Sequence, residues 1–147
     1  MLKKDIKFIR DDIKRFYLDE YIESDTKKEY YVDLGMPSKS EYALVFATLG
    51  DVPIDVKNKT IEKDSITINA KNFDTFAFLN IACHIYDTNI TEKKGDELTF
   101  DERVELVKEL DRRNSEIIDI LLKFCTDIDE DINKNKKWKW NKGNVNN

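Results

Sequence analysis

The sequence has few of the residues that shape turns and few of those that commonly carry out chemistry. Its 147 residues include four glycines, two prolines, two cysteines and one histidine. A fold of many short strands needs turn residues often, so this composition argues against a β-sandwich or a β-barrel. The scattered glycines form no phosphate-binding loop and no dinucleotide fingerprint, which argues against a nucleotide-dependent enzyme.

The single histidine, His84, is poorly placed for metal binding. On a helix, its neighbour Cys83 points roughly 100° away, so the two side chains cannot chelate one ion well. Zinc needs four ligands, whereas His84, Cys83 and Cys125 make three, and no HExxH or paired CxxC motif is present. Cys125 lies among apolar residues, which predicts an inert buried thiol. We therefore predict that His84 is a hydrogen-bonded core residue and that the protein has no metal, no cofactor and no catalytic residue.

The acidic group Asp127, Asp129 and Asp131 has the spacing that opens a calcium-binding loop. The position that requires glycine is Ile132, and the position that requires glutamate is Trp138. These two departures exclude an EF-hand. We interpret the group as a solvated helix end.

The charge distribution limits the kinds of partner that the protein can bind and the cell compartment in which we expect it. A formal net charge of -5 does not suit nucleic acid as the main partner, because binding to a duplex depends on phosphate neutralisation. No apolar run is long enough to span a bilayer, and the first residues carry charges throughout, unlike a signal peptide. We expect a cytoplasmic protein that does not bind membranes. The abundant Lys, Ile, Asn and Asp are typical of a low-GC genome.

The stretch from Asn72 to Asp87, NFDTFAFLNIACHIYD, is apolar almost all the way round when it is drawn as a helix. Only Asp74, Asn80, His84 and Asp87 form a narrow polar stripe. A helix of this kind must be covered on most sides, so we predict that it is the central helix of a domain. Asn72 is a suitable N-cap residue for it.

The other elements predict an α+β fold that is mostly helical. Residues 52–56 and 65–69 are predicted strands of a small antiparallel hairpin against the central helix, and residues 29–34 are a predicted strand that could join it. Residues 40–49 fit a short helix capped by Ser38 or Ser40, although periodicity alone does not exclude a buried strand. A C-terminal helical pair is predicted at 100–113 and 116–125.

Both helices of the C-terminal pair are preceded by residues that typically begin a helix. Thr99 and Glu102 have the spacing of a capping box ahead of an apolar run. Ser115 can cap a new helix after Arg113, whereas one long helix across this point is the alternative.

The two ends differ in character from the centre. Residues 2–21 have apolar side chains at helical spacing and predict an amphipathic helix that either docks on its own core or binds another protein. Residues 133–147 form a Lys/Asn tail that contains Trp138 and Trp140, for which we predict disorder. Residues 1–132 are predicted to be a single globular domain. The candidate partner-binding residues at the ends and on the surface are Ile6, Ile9, Ile13, Phe16, Tyr30, Tyr42, Trp138 and Trp140.

The order of parts resembles a known family. A charged N-terminus leads to a small strand region, then to the helix AKNFDTFAFLNIACHIYD, then to a helical pair that ends EIIDILLKFCTDIDEDI, and then to a Lys/Asn tail. This layout, over roughly residues 29–132, is similar to that of the tail assembly chaperones of long-tailed bacteriophages and prophages of low-GC bacteria. The resemblance implies a non-catalytic protein that binds a long helical tape-measure protein in the host cytoplasm. It also implies a longer product made by frameshifting, and the A-rich codons of residues 133–137 could hold the slippery run.

Two other classes of protein remain open. An acidic phage-encoded inhibitor would occupy a basic site on a host protein, as the net charge allows, although the basic tail argues against a uniform nucleic-acid mimic. An enzyme would need convergent titratable groups, and the sequence shows no recognised set. In each non-catalytic case the partner is a protein, and self-association is compatible with the same sequence.

Overall fold

The computed structural model describes the backbone of residues 1–23, 29–47, 54–55, 60–61 and 70–145. It describes the side chains of residues 1–23, 29–47 and 74–130. The fold is α+β, as the sequence predicts, with four helices and a three-stranded antiparallel sheet in the described ranges. In chain order the elements are β1 (Lys14–Tyr17), β2 (Tyr31–Leu34), α1 (Lys39–Ala47), β3 (Ile54–Asp55), β4 (Thr60–Ile61), α2 (Ala70–His84), β5 (Ile85–Thr88), a 3-10 turn (Gly95–Glu97), α3 (Phe100–Arg113) and α4 (Glu116–Val145).

Strand β2 is the middle strand of the main sheet and pairs antiparallel with β1 and β5. Arg15 of β1 lies directly opposite Asp33 of β2. The Arg15 guanidinium donates hydrogen bonds to both Asp33 carboxylate oxygens, at 2.8 and 3.1 Å, and its charge lies 3.6 Å from the centre of the Tyr31 ring. Cross-strand pairs of this kind stabilise a sheet and fix its register.

The predicted helix over residues 2–21 is wrong. Residues 14–17 form a strand, and no helix forms anywhere in 1–23. The apolar spacing suits a helix, but a strand places Arg15 on Asp33 and turns the Phe16 ring toward Phe124, with the ring centres 5.1 Å apart. Tertiary contacts override local periodicity here.

The central helix is confirmed, with shifted ends. Helix α2 begins at Ala70, two residues before the predicted cap, and ends at His84. Residues 85–87, predicted to be part of the helix, belong to strand β5 (Ile85–Thr88), in which Ile85 and Thr88 are buried and Tyr86 is exposed. Helix α2 packs against α1, α3 and α4. It is therefore the element around which the other helices are arranged.

The core joins the sheet to α2, α3 and α4. Its fully buried side chains include Val32 and Leu34 from β2, Ile81 from α2, and Leu121 from α4. Burying a side chain of this size contributes about 1.5–3 kcal/mol. One contiguous apolar cluster thus fixes the position of α2 relative to the sheet.

Helices α1 and α3 begin where the sequence predicts. The Ser38 hydroxyl accepts a hydrogen bond from the Glu41 amide at 3.3 Å, and residues 39–47 are helical and not extended. The Thr99–Glu102 capping box is present in both directions, at 3.1 and 3.2 Å. Helix α3 ends at Arg113 and a new helix follows, as predicted. The side chain that accepts a hydrogen bond from the Glu116 amide is Asn114, however, and not Ser115.

Two further predictions need correction. Helix α4 runs to Val145, so disorder over residues 133–147 is wrong as far as 145, and residues 146–147 lie outside the described ranges. Lysine is a good helix former, which lets the helix continue through the tail. The predicted joining of residues 29–34 to the small hairpin is wrong, because β2 pairs with β1 and β5, whereas β3 and β4 form a separate two-stranded sheet. The predicted strand at 65–69 lies outside the described residues.

Candidate functional site

The most exposed apolar side chains of the described residues are concentrated at one end of the chain. Five of the eight large exposed apolar residues lie within residues 1–9, which we call the arm. Ile9 is 99% exposed, Phe8 70% and Ile6 47%, and Met1 and Leu2 are also exposed. Single apolar residues are common on protein surfaces, but a run of them in one segment is a candidate contact site for another molecule.

A clip of polar contacts holds the base of the arm. The Arg10 guanidinium donates to the Asp12 carboxylate at 2.6 Å and to the Met36 carbonyl at 2.9 Å. The Met36 amide donates to the same carboxylate at 2.7 Å. These partners, with Arg10 the largest contributor, hold the pKa of Asp12 below its ordinary value. The arm therefore leaves the body at a defined point, Arg10.

Gly35 makes this clip possible. A Cβ atom at residue 35 would overlap the Ile13 side chain and would lie 2.9 Å from Asp12 Oδ2. Only glycine lets the residues at the base of the arm approach the backbone after β2 this closely. Ile13, a predicted partner-binding residue, is partly buried and lies against Gly35 beside the clip.

A cleft of about 230 Å³ lies beside the clip. Its walls come from the arm base, the start of α1, the α2–β5 junction, the 3-10 turn and α3, and they include Arg10, Glu41, His84 and Arg103. Arg103 Nη2 donates to both Glu41 carboxylate oxygens, at 2.6 and 2.7 Å, and Nη1 donates to the Ala82 carbonyl at 3.0 Å. Arg103 therefore fastens α3 to α1 and to the end of α2.

His84 is the hydrogen-bonded core histidine that the sequence predicts. Its side chain is fully buried. Nδ1 lies 2.7 Å from the Asn80 carbonyl oxygen, which can only accept, so Nδ1 carries a hydrogen. Nε2 lies 3.0 Å from Asp129 Oδ1. Both ring nitrogens therefore have a partner within the protein.

The other reactive groups near the cleft are also held. Burial raises the pKa of the Cys83 thiol to about 12, and the thiol donates to the Asn80 carbonyl at 3.0 Å. Burial likewise raises the pKa of the Cys125 thiol. A thiol with a raised pKa is protonated at neutral pH and is a weak nucleophile. The arrangement of these groups supports structure and offers no activated nucleophile.

The remaining predicted partner-binding residues lie in different environments. Phe16 and Tyr30 are half-buried and pack against the core cluster. The Tyr42 hydroxyl donates to Asp129 Oδ2 at 3.4 Å, and burial raises its pKa. Residues 138 and 140 lie in the part of α4 whose side chains are not described. Among the members whose side chains are described, Ile6 and Ile9 are therefore the exposed ones.

Leu2 and Phe8 are exposed on the arm but are not among the partner-binding residues predicted from the sequence. Both are apolar residues in a charged segment, a signal that was visible in the sequence. They were missed because the helical interpretation gave weight only to residues that share one helix face.

A second surface feature lies on α3. A groove of about 420 Å³ is lined by Leu98 and Leu106 and bordered by the carboxylates of α3. The residues at its border are Thr91, Lys93, Asp101, Glu102, Glu105 and Glu109. We call this feature the acidic groove. It has an apolar floor, and its border carries four carboxylates and one ammonium group.

No group of His, Cys, Asp and Glu side chains within the described residues has an arrangement that could hold a metal ion. Among the helices in the same ranges, none combines the length and the apolar character that crossing a membrane requires. Comparison with protein-family models, with curated proteins and with solved structures gives no match for this chain.

Proposed function

We propose that this protein is a non-catalytic assembly chaperone of the phage-tail type, which binds a long helical, tape-measure-like protein during tail assembly. The observation that carries the proposal is the arm. Its exposed apolar residues are held at one fixed point of a body whose own core is complete without them. The resemblance of the layout to the tail assembly chaperones supplies the class of partner.

A short apolar arm suits reversible binding to a long helix. Each arm offers few side chains, so a single contact is weak and can be displaced when a tube subunit arrives. Many copies along one partner act together, because each bound copy raises the effective concentration of its neighbours' contacts. The amphipathic helix of the partner would present apolar side chains three and four residues apart to successive arms.

The cleft supports a non-catalytic role. His84, Cys83, Glu41 and Arg103 all converge on this region, yet each is committed to a contact within the protein. General acid–base catalysis needs a group that can reach a substrate proton. The cleft residues instead fasten α1, α2 and α3 together.

The experiment that tests the proposal is co-expression with the longest coiled-coil reading frame next to this gene. The wild-type chain should keep that long protein soluble and should co-purify with it. The double variant Ile6→Ser/Ile9→Ser should lose at least about tenfold in affinity, which corresponds to about 1.4 kcal/mol.

Leu44→Ser is the matched control, because Leu44 is an exposed apolar residue of α1, outside the arm. This variant should bind as the wild type does. The proposal fails if no long coiled-coil reading frame adjoins the gene, or if the arm variant binds the long protein with wild-type affinity.

The second candidate is an acidic phage-encoded inhibitor of a host protein. The carboxylates around the acidic groove favour it, since they would suit a basic site on the host protein. This function predicts a one-to-one complex with a single host protein, whose affinity depends on Glu105 and Glu109 and is insensitive to Ile6 and Ile9.

A further inference from the structure

The arm is cationic as well as apolar. Lys3, Lys4 and Lys7 alternate with its apolar residues, and Asp5 is its one acidic side chain. None of the three lysines forms an ion pair with any residue that the structure describes. The arm thus presents apolar side chains and uncompensated positive charge together.

The acidic groove has the opposite charge and the same apolar character. Leu98 and Leu106 form its floor, and its border holds four carboxylates against one lysine. The intrachain partners of Glu105 and Glu109 are Lys108 at 3.7 Å and Arg113 at 3.2 Å, one turn away on the exposed helix surface. Exposed pairs of this kind contribute little, so these carboxylates can exchange partners at low cost.

The arm does not occupy the groove of its own chain. Arg10 lines the cleft, and Leu98 lines both the cleft and the groove, so the groove lies near the clip. Ile9, however, immediately precedes the clip and is 99% exposed, which means that the arm leaves the body directly. No arm residue lines the groove, so the arm and the groove of one chain are both open, and a second copy offers the same two surfaces.

We infer that the acidic groove receives the arm of a second copy of this chain. The apolar arm residues contact Leu98 and Leu106, and Lys4 and Lys7 pair with Glu105 and Glu109. The groove volume of about 420 Å³ lies within the ordinary range for a binding site that accepts a few side chains. Each copy has one arm and one groove, so the exchange closes as a dimer or continues as a string of copies.

This inference does not depend on the proposed function. The arm is exposed in the chain alone, and covering it is an advantage whether or not a helical partner exists. If both hold, a neighbouring copy covers the arm until the helical protein displaces it.

The test is a charge exchange between purified full-length variants, measured by analytical ultracentrifugation at low salt. The groove variant Glu105→Lys/Glu109→Lys and the arm variant Lys4→Glu/Lys7→Glu should each self-associate at least about tenfold more weakly than the wild type, because like charges then face each other. Mixing the two variants should restore association, since the reversed arm meets the reversed groove.

Asp127→Lys/Glu130→Lys is the matched control, with two exposed carboxylates reversed on α4, outside the groove. It should associate as the wild type does, and circular dichroism should show the same helix content in all variants. The inference is overturned if the wild type remains monomeric at every concentration measured. A monomer in which the arm closes on its own groove would give this same result. The inference is also overturned if the mixed variants associate no better than each alone.

The same variants separate this inference from the proposed function. The groove variant keeps the arm intact, so it should still bind the long helical protein. Loss of self-association with retained partner binding supports both proposals, whereas retained self-association overturns only the arm-in-groove contact.

Discussion

The arm and helix α2 both have apolar residues at helical spacing, yet they differ completely in the structure. Helix α2 packs against α1, α3 and α4, and its residues Ala77, Ile81 and Ala82 are buried, with Ile81 fully so. In the arm the same kind of residue is exposed, and no helix forms. The difference shows that apolar periodicity produces a helix only where other elements cover its apolar face, since short isolated helices are marginal in water.

The comparison also assigns different roles to the two regions, stability to α2 and binding to the arm. Helix α2 contributes to stability because its side chains leave water on folding. The arm contributes little to stability, so its apolar residues are available for another molecule. The predictions that follow test this division, beginning with the largest effect.

The largest difference should appear between two isoleucines. Ile81→Ala in α2 should lower the free energy of unfolding by about 2–5 kcal/mol, because it removes buried methyl groups and leaves a cavity. Ile9→Ala in the arm should change it by less than about 0.5 kcal/mol. Urea unfolding of both variants at low protein concentration measures the pair, and comparable losses would contradict the division between arm and core.

Among the described residues, Gly35 and Gly95 are approached closely by other residues, and alanine substitutions at these two positions should differ less in their effect on stability. A Cβ at Gly95 would collide with the Thr88 backbone in β5, whereas a Cβ at Gly35 would meet only side-chain ends of the clip. We expect Gly95→Ala to cost about 3 kcal/mol and Gly35→Ala about 1 kcal/mol, because side-chain ends can move and backbone cannot. Thermal unfolding would rank them. A larger loss for Gly35→Ala would show that the clip is part of the core.

The smallest effect concerns the α3 cap and its pH dependence. Lys93 and the Thr99 backbone and hydroxyl lower the pKa of Glu102 to about 2, from an ordinary value of 4.5. A lowered folded-state pKa adds stability that is complete above about pH 4.5 and is lost as the pH falls toward 2. The wild type should therefore exceed Glu102→Gln in unfolding midpoint at pH 6 and lose that advantage near pH 2.

Glu105→Gln serves as the control for this pH series, since the one ion pair of its carboxylate with a described residue is the exposed contact with Lys108, at 3.7 Å. Its difference from the wild type should vary less with pH. An advantage for the wild type over Glu102→Gln that grows as the pH falls would contradict the assignment of the cap.

The sequence predicts those parts of the fold that depend on local signals. The capping box at Thr99, the cap at Ser38, strand β2 and the buried α2 all follow from short patterns, and the structure confirms them. Strand β1 could not be predicted in this way, because its stability comes from Arg15 meeting Asp33, 18 residues away. Strand β5 was hidden for the same reason, since it continues directly from the last residue of α2.

The candidate site shows the same limit. Exposed apolar residues at Ile6 and Ile9 were predicted as a binding face, although as part of a helix. The clip needs Arg10, Asp12 and Met36 to meet across a sequence separation of more than 20 residues, and no local pattern reports that contact. The acidic groove needs Leu98 and α3 to lie side by side, which only the folded chain shows.

The central claim is that the arm does not pack against the folded domain, which is built around α2. Hydrogen exchange of the dilute full-length protein tests this claim most directly. Amides of residues 1–9 should exchange at nearly the rate of an unstructured peptide, whereas those of Ile81 and Ala82 should exchange only through global unfolding. Protection of the arm comparable to that of α2 would contradict the account, because it would place the arm within the folded core.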